Sequence, residues 1–356
     1  MSATRSSSLP DISELSLDQK LGQMLLLGFR GTRLTGENPV ITDIRDRHIG
    51  GVILFDYDLM RKSGDRNIVS PEQVAQLTSD LKSHAEIPLF VSIDQEGGVV
   101  NRLKPDYGFT PTLSHKKLGE NDDPAQTLKH AREIAEEVHT SGFNLNFAPC
   151  VDLAANKENK AIYGRERCFS DDPEMVALHA GAYIRGHHEA GVLTAVKHFP
   201  GHGSSREDTH LGMADVTETW QEHEMLPYQR ILDEGICDMV MTTHIFNRRL
   251  DPEYPATLSR KILTGILRER LGWDGVIISD DLQMKAITAH FGMETAMKRA
   301  LLAGVDMLIY GNNLDFDSEI AGKFLRVAKE MLEKGEITEE HIDASVRRIF
   351  KRKEKI

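Results

Sequence analysis

Cysteine is scarce: Cys150, Cys168 and Cys237 are the only three in 356 residues. They form no disulfide framework and no zinc-type spacing. A reducing cytoplasm is the simplest compartment for such a chain. Long apolar runs are missing too. None approaches the roughly 20 residues that span a bilayer. Met1 to Gln19 is Ser-rich, carries Asp11, Glu14 and Asp18, and lacks the apolar centre of a secretory signal. Positive charge is outweighed, with 43 Lys and Arg against 55 Asp and Glu, a net −12. That balance argues against a nucleic-acid partner and against an anionic membrane surface. The short basic run Lys351-Arg352-Lys353, followed by Glu354, reads as a solvated helix end.

What is present is a series of short apolar runs: Met24–Phe29, Val52–Phe55, Leu89–Ile93, Phe143–Ala148, Val192–Val196, Met239–Thr243, Val276–Ile278 and Met307–Tyr310. They do not alternate with polar residues, as expected of parallel strands covered on both faces. Each gap between them has room for a crossover helix. Ser70-Pro71 with Gln73, Asp123-Pro124 with Gln126, and Asp172-Pro173 supply N-caps with proline in the first turn. Leu128, Ala131, Ala135 and Val138 recur at helical spacing, and Gly142 supplies the stop. Further amphipathic runs lie at Arg260–Leu271, Glu294–Ala303, Phe324–Lys334 and Glu339–Lys351. Repeated strand–helix alternation predicts an α/β fold, a single-domain (β/α)8 TIM-type barrel, with a doubly wound sheet as the alternative. Residues 1–16 read as an N-terminal extension and 17–356 as the barrel with its C-terminal helices.

In such a barrel the chemistry collects at the carboxyl ends of the strands. There the sequence places Asp94-Gln95-Glu96-Gly97-Gly98, Asp152, Lys197-His198-Phe199-Pro200-Gly201-His202-Gly203, His244, and Ser279-Asp280-Asp281. So many charged groups are not needed to hold a barrel together. Asp208 and His210, two apart in a glycine-rich loop, suit a histidine general acid/base whose tautomer is fixed by a carboxylate. Of the neighbours Asp280 and Asp281 only one can face the barrel mouth, since adjacent side chains diverge. The residues alone leave open which.

KHFPGHG-x4-D-T-H (Lys197 to His210), with IDQEGG and ISDDLQM, closely resembles glycoside hydrolase family 3 in its single-domain β-N-acetylglucosaminidase branch. The resemblance runs from about Leu17 to about Asn313. It implies Asp280 as nucleophile, His210 as acid/base and Asp208 as its orienting partner. It implies sugar binding by Asp94, Arg102, Arg167, Lys197 and His198. Val99 departs from relatives, which often carry arginine there. The implied activity is retaining hydrolysis of terminal β-linked N-acetylglucosamine, from a small carbohydrate or muropeptide in cell-wall recycling, with no cofactor and no metal.

Rival readings are weaker. A metal-dependent barrel hydrolase using His198, His202, His210 and Asp208 usually shows His-x-His after its first strand, where Gly28-Phe29-Arg30-Gly31 stands instead. A phosphate loop at Pro200–Ser205 lacks the Gly-Lys-Ser/Thr that should follow. An inactive sugar-binding barrel would have lost Asp280, Asp208 or His210, and all are present. A phosphorylase or β-glucosidase on the same scaffold stays open. Among other residues, His187-His188 read as helix-surface groups, Met284, Met293, Met297 and Met307 as core filling, and Trp273 as packing under the seventh strand.

Overall fold

The apolar runs form the strands of one closed parallel barrel: β1 (Leu25–Gly28), β2 (Gly51–Ile53), β3 (Phe90–Ile93), β4 (Leu145–Asn146), β5 (Leu193–Phe199), β6 (Met239–Thr242), β7 (Val276–Asp281) and β8 (Met307–Tyr310). The computed structural model describes residues 9–206 and 212–356. Strands pair in chain order, and β8 returns to β1 with Ile309 opposite Leu26. That closure excludes the doubly wound alternative. Every strand residue is buried except Asp280 and Asp281. Water is excluded on both faces, by side chains filling the barrel and by the helices outside. The strand that ends in two half-buried carboxylates therefore stands out.

The helices are α1 (Leu17–Gln23), α2 (Pro39–Arg45), α3 (Pro71–Ser83), α4 (His115–Asn121), α5 (Pro124–Thr140), α6 (Pro173–Glu189), α7 (Leu226–Asp233), α8 (Lys285–Phe291), α9 (Met293–Ala303), α10 (Ile320–Glu333) and α11 (Glu339–Lys353). The expected caps are in place. Ser70 Oγ accepts the Gln73 N–H at 3.2 Å, and Asp123 and Asp172 cap α5 and α6. Each such cap stabilises its helix by about 1 kcal/mol. The run at Arg260–Leu271 is wound more loosely, as a π-helix over Lys261–Arg270.

Two readings are corrected. Lys353 is not a solvated helix end. It is 1% exposed, and its Nζ donates to Gln23 Oε1 at 2.7 Å and to the Pro88 carbonyl at 2.5 Å beneath the barrel. His187 is not a surface group either. It is fully buried, with Nε2 2.9 Å from Asn146 Nδ2. Both side chains serve polar backbone or amide groups that the barrel would otherwise bury unpaired. Met284, Met297 and Met307 do fill the core, with Met293 half-buried, and Trp273 Nε1 donates to the Val276 carbonyl at 3.3 Å.

Two strand ends are bent where the chemistry was expected. The β5–β6 register shifts between Val196 and Phe199, and the β7–β8 register between Ile278 and Asp281. Such irregularities re-aim side chains locally, here those of Lys197, His198 and Asp280. The ends of β1 and β8 meet closely: a Cβ on Gly28 would stand 1.8 Å from the Gly311 carbonyl oxygen.

Candidate active site

The barrel mouth holds a buried charge cluster drawn from β3, β5 and the loop after β4. Lys197 Nζ bridges Asp94 Oδ1 at 2.8 Å and Glu96 Oε1 at 2.7 Å. Arg167 grips Glu96 with two parallel bonds, Nε to Oε2 at 2.9 Å and a terminal nitrogen to Oε1 at 2.7 Å. Arg102 stands 3.6 Å from Asp94 Oδ2. Burial alone would raise both acids. Arg167 and Lys197 outweigh it and hold Glu96 well below the usual carboxylate range, and Lys197 and Arg102 hold Asp94 down. Burial likewise works against the Lys197 ammonium, but the same two carboxylates raise its pKa. The result is a fixed array of donors and acceptors of both signs, which suits a polyhydroxylated ring.

Arg102 is placed by Gln95. The Gln95 Oε1 accepts the backbone N–H of Arg102 at 2.9 Å and of Leu103 at 3.0 Å. Gly97 and Gly98, both at positive φ (102° and 60°), turn the chain back between them.

His198 lies in a second network. Its Nδ1 is 2.6 Å from Asp152 Oδ2, and its Nε2 is 3.0 Å from Arg167. Guanidinium offers only donors, so Nε2 accepts and the ring proton sits on Nδ1, toward Asp152. Asp152 is fully buried. Burial raises its pKa, but His198 and the His202 N–H, 2.7 Å from Oδ1, bring it down to about 2. The Lys197–His198 and Phe199–Pro200 peptides are both cis.

At the end of β7 the two aspartates diverge. Asp281 Oδ1 accepts the N–H groups of Gln283 at 3.0 Å and Gly311 at 3.2 Å. Its carbonyl accepts from His244 Nε2 at 2.9 Å, so His244 serves to hold this strand end. Asp280 takes the Asp281 N–H on Oδ1 at 2.7 Å, and its own N–H donates to Thr242 Oγ1 at 3.4 Å.

Among the described residues, one set could hold a metal ion: Cys150, Asp152 and His198, with ligand atoms within 4.8 Å of one another. It fits a hydrogen-bond network better. Burial and Asp152 push the Cys150 thiol well above its usual value, and it donates to Asp152 Oδ2 at 3.2 Å. The Arg167 cation also stands against His198 Nε2.

Five of the expected residues, Asp94, Arg102, Arg167, Lys197 and His198, thus meet in linked networks, with Asp280 on the same rim. Asp208 and His210 lie outside the described residues. Two further members had no role assigned from sequence. Glu96 carries both Arg167 and Lys197, and Asp152 fixes His198. Their signal was position alone, two residues after Asp94 and just past β4.

The Glycosyl hydrolase family 3 N terminal domain matches this chain over residues 16–351. A beta-hexosaminidase of Xylella fastidiosa is 38% identical over 293 residues, covering 80% of this chain and 82% of its own. A glycoside hydrolase family 3 beta-N-acetylglucosaminidase from a Paenibacillus species superposes with a TM-score of 0.87 at 34% identity, covering 96% of this chain and 62% of that one. A beta-N-acetylhexosaminidase from Beutenbergia cavernae gives 0.85 at 28% identity, over 96% of this chain and 99% of that one.

Proposed function

This chain belongs to glycoside hydrolase family 3, and we propose that it is a retaining exo-β-N-acetylglucosaminidase that removes terminal N-acetylglucosamine from peptidoglycan fragments in the cytoplasm. Similarity to proteins named beta-hexosaminidase and beta-N-acetylglucosaminidase supports the sugar. The observation that carries the chemistry is the divergence at β7. Asp281 Oδ1 is held by the backbone amides of Gln283 and Gly311, which turns that carboxylate to the β7–β8 seam, so we read Asp280 as the carboxylate of that strand that meets a bound sugar.

In this reading Asp94, Arg102, Arg167, Lys197 and His198 hold the ring. Asp280 attacks C1 while His210 gives its proton to the departing oxygen, forming a glycosyl ester. His210 then takes a proton from water, which attacks C1 and frees Asp280. Asp208 fixes the tautomer of His210. The assignment of this dyad rests on the motif Lys197 to His210. Two displacements leave the product first as the β-anomer.

The test compares nitrophenyl β-N-acetylglucosaminide with nitrophenyl β-glucoside, each with and without inorganic phosphate. Preference for the acetamido sugar by roughly 10²-fold or more, with free sugar as product, is expected. Equal turnover overturns the sugar assignment, and a sugar 1-phosphate product overturns hydrolysis. Release of N-acetylglucosamine from a purified anhydro-muramyl peptide tests the natural substrate.

A further inference from the structure

The segment leading from β5 toward Asp208 is pinned at its root. Trp220 Nε1 donates to the Pro200 carbonyl at 3.2 Å, Asn159 Nδ2 to that of His202 at 2.8 Å, and Asn156 Nδ2 to that of Ser205 at 2.9 Å. Gly203 lies so near the strand-four loop that a Cβ on it would stand 2.1 Å from the Leu153 carbonyl oxygen. These ties are neutral amides and indoles, insensitive to pH.

One tie is different. The Ser204 N–H donates to Glu224 Oε2 at 3.2 Å, and Glu224 Oε1 accepts the Gln221 N–H at 3.3 Å. Glu224 is 1% exposed and has no salt-bridge partner among the described residues. It packs against the root, since a Cβ on Gly201 would stand 2.7 Å from Glu224 Cβ. Burial, helped by the Asp152 carboxylate, raises it to about 7 against the opposing pull of Ser204 and Gln221. Tyr228 of α7 also faces it electrostatically. A cavity of about 630 Å³ opens beside it, with Lys157 and Arg206 of one sign, Glu158 and Asp171 of the other, and His223 on its walls. Those signs largely offset one another, so no single cation dominates its ionisation.

We propose that Glu224 is a positioning residue for the acid/base: by accepting the Ser204 N–H it fixes the root of the segment that runs on in sequence to Asp208 and His210, and its ionised form does so better than its neutral form. The proposal rests on the reading of His210 as proton donor. A carboxylate holds an amide N–H more strongly than a carboxylic acid does. Ser204 is four residues from Asp208, and small misplacements of an acid matter most when the leaving group needs its proton.

Glu224→Gln keeps the shape and removes the charge. At pH 8 it is expected to lower kcat/KM on a β-N-acetylglucosaminyl disaccharide roughly 10-fold, while the nitrophenyl substrate changes by less than about twofold. Equal loss on both substrates, or no loss on either, overturns the proposal. His210→Ala is run alongside. If it shows no leaving-group bias, the reading beneath falls and the proposal with it; bias there but none in Glu224→Gln overturns the proposal alone. Should Glu224→Gln melt early, Glu224→Asp, which keeps the charge but shortens the reach to the Ser204 N–H, is expected to lower the disaccharide-to-aryl ratio of kcat/KM in the same direction. An unchanged ratio overturns the proposal.

Discussion

The carboxylate of Asp281 accepts the Gly311 N–H at 3.2 Å, across the seam between β7 and β8, while its neighbour Asp280 accepts the Asp281 N–H at 2.7 Å. Asp280→Asn should therefore cut kcat by roughly 10³-fold or more with an unchanged melting temperature, because its loss is felt in the transition state. Asp281→Asn should instead lower stability by about 1–2 kcal/mol with a smaller fall in rate. Rates and thermal melts of the two variants check this. The opposite ranking would exchange their roles.

Glu96 is the next test. With its charge removed, Arg167 and Lys197 are left facing each other in a buried site, a change that costs about 3–5 kcal/mol when a buried pair loses one member. Glu96→Gln should lower the denaturation midpoint and raise KM more than it lowers kcat. Unfolding curves and steady-state kinetics separate the two effects. An unchanged KM would make Glu96 purely structural.

The proposed acid/base dyad predicts a dependence on leaving group. His210→Ala should lose about 10²–10⁴-fold on a disaccharide and far less on a nitrophenyl glycoside, whose leaving group departs largely unaided. Asp208→Asn should show the same bias more mildly. Ratios of kcat/KM on the two substrates measure it, and identical losses would place the proton donor elsewhere.

Stability should also respond to pH with a defined sign. Glu224 is raised from the ordinary 4.5 to about 7. Its ionisation therefore opposes folding, with no effect below pH 4.5 and a growing loss as pH rises to 7. Glu224→Gln should be more stable than the parent at pH 8 by up to roughly 3 kcal/mol, and equal to it at pH 4.5. Asp152, brought down to about 2, acts the other way. Its contribution is full above the ordinary value of 3.8 and is lost as pH falls through 2. Urea titrations at several pH values test both signs, and equal stability of Glu224→Gln and its parent at pH 8 would contradict the first.

Much of the barrel was legible because its strands are buried on both faces, which leaves apolar runs bounded by turn residues. Ser70, Asp123 and Asp172 marked helix starts for the same local reason. Lys353 and His187 were misread because their partners, Gln23, Pro88 and Asn146, are distant in sequence. No local pattern tells a lysine that will cover a barrel floor from one that will meet water. The residues proposed to hold the sugar were singled out through their motif. Glu96 and Asp152 were seen only as strand-end acids, since what defines them is the side chains each meets across the mouth. Which of Asp280 and Asp281 faces that mouth likewise depends on Gly311, a contact between β7 and β8.

The seam between β1 and β8 has a consequence for how this protein is made. Leu26 must pair with Ile309, and Lys353 must reach back to Gln23 and Pro88. While the ribosome is still translating, β1 to β7 can form only an open sheet with two bare edges, a shape prone to wrong pairing. Completion must wait until β8 and then α11 have left the exit tunnel. The nascent chain thus carries unpaired strand edges, of the kind chaperones shield, until β8 can close on β1.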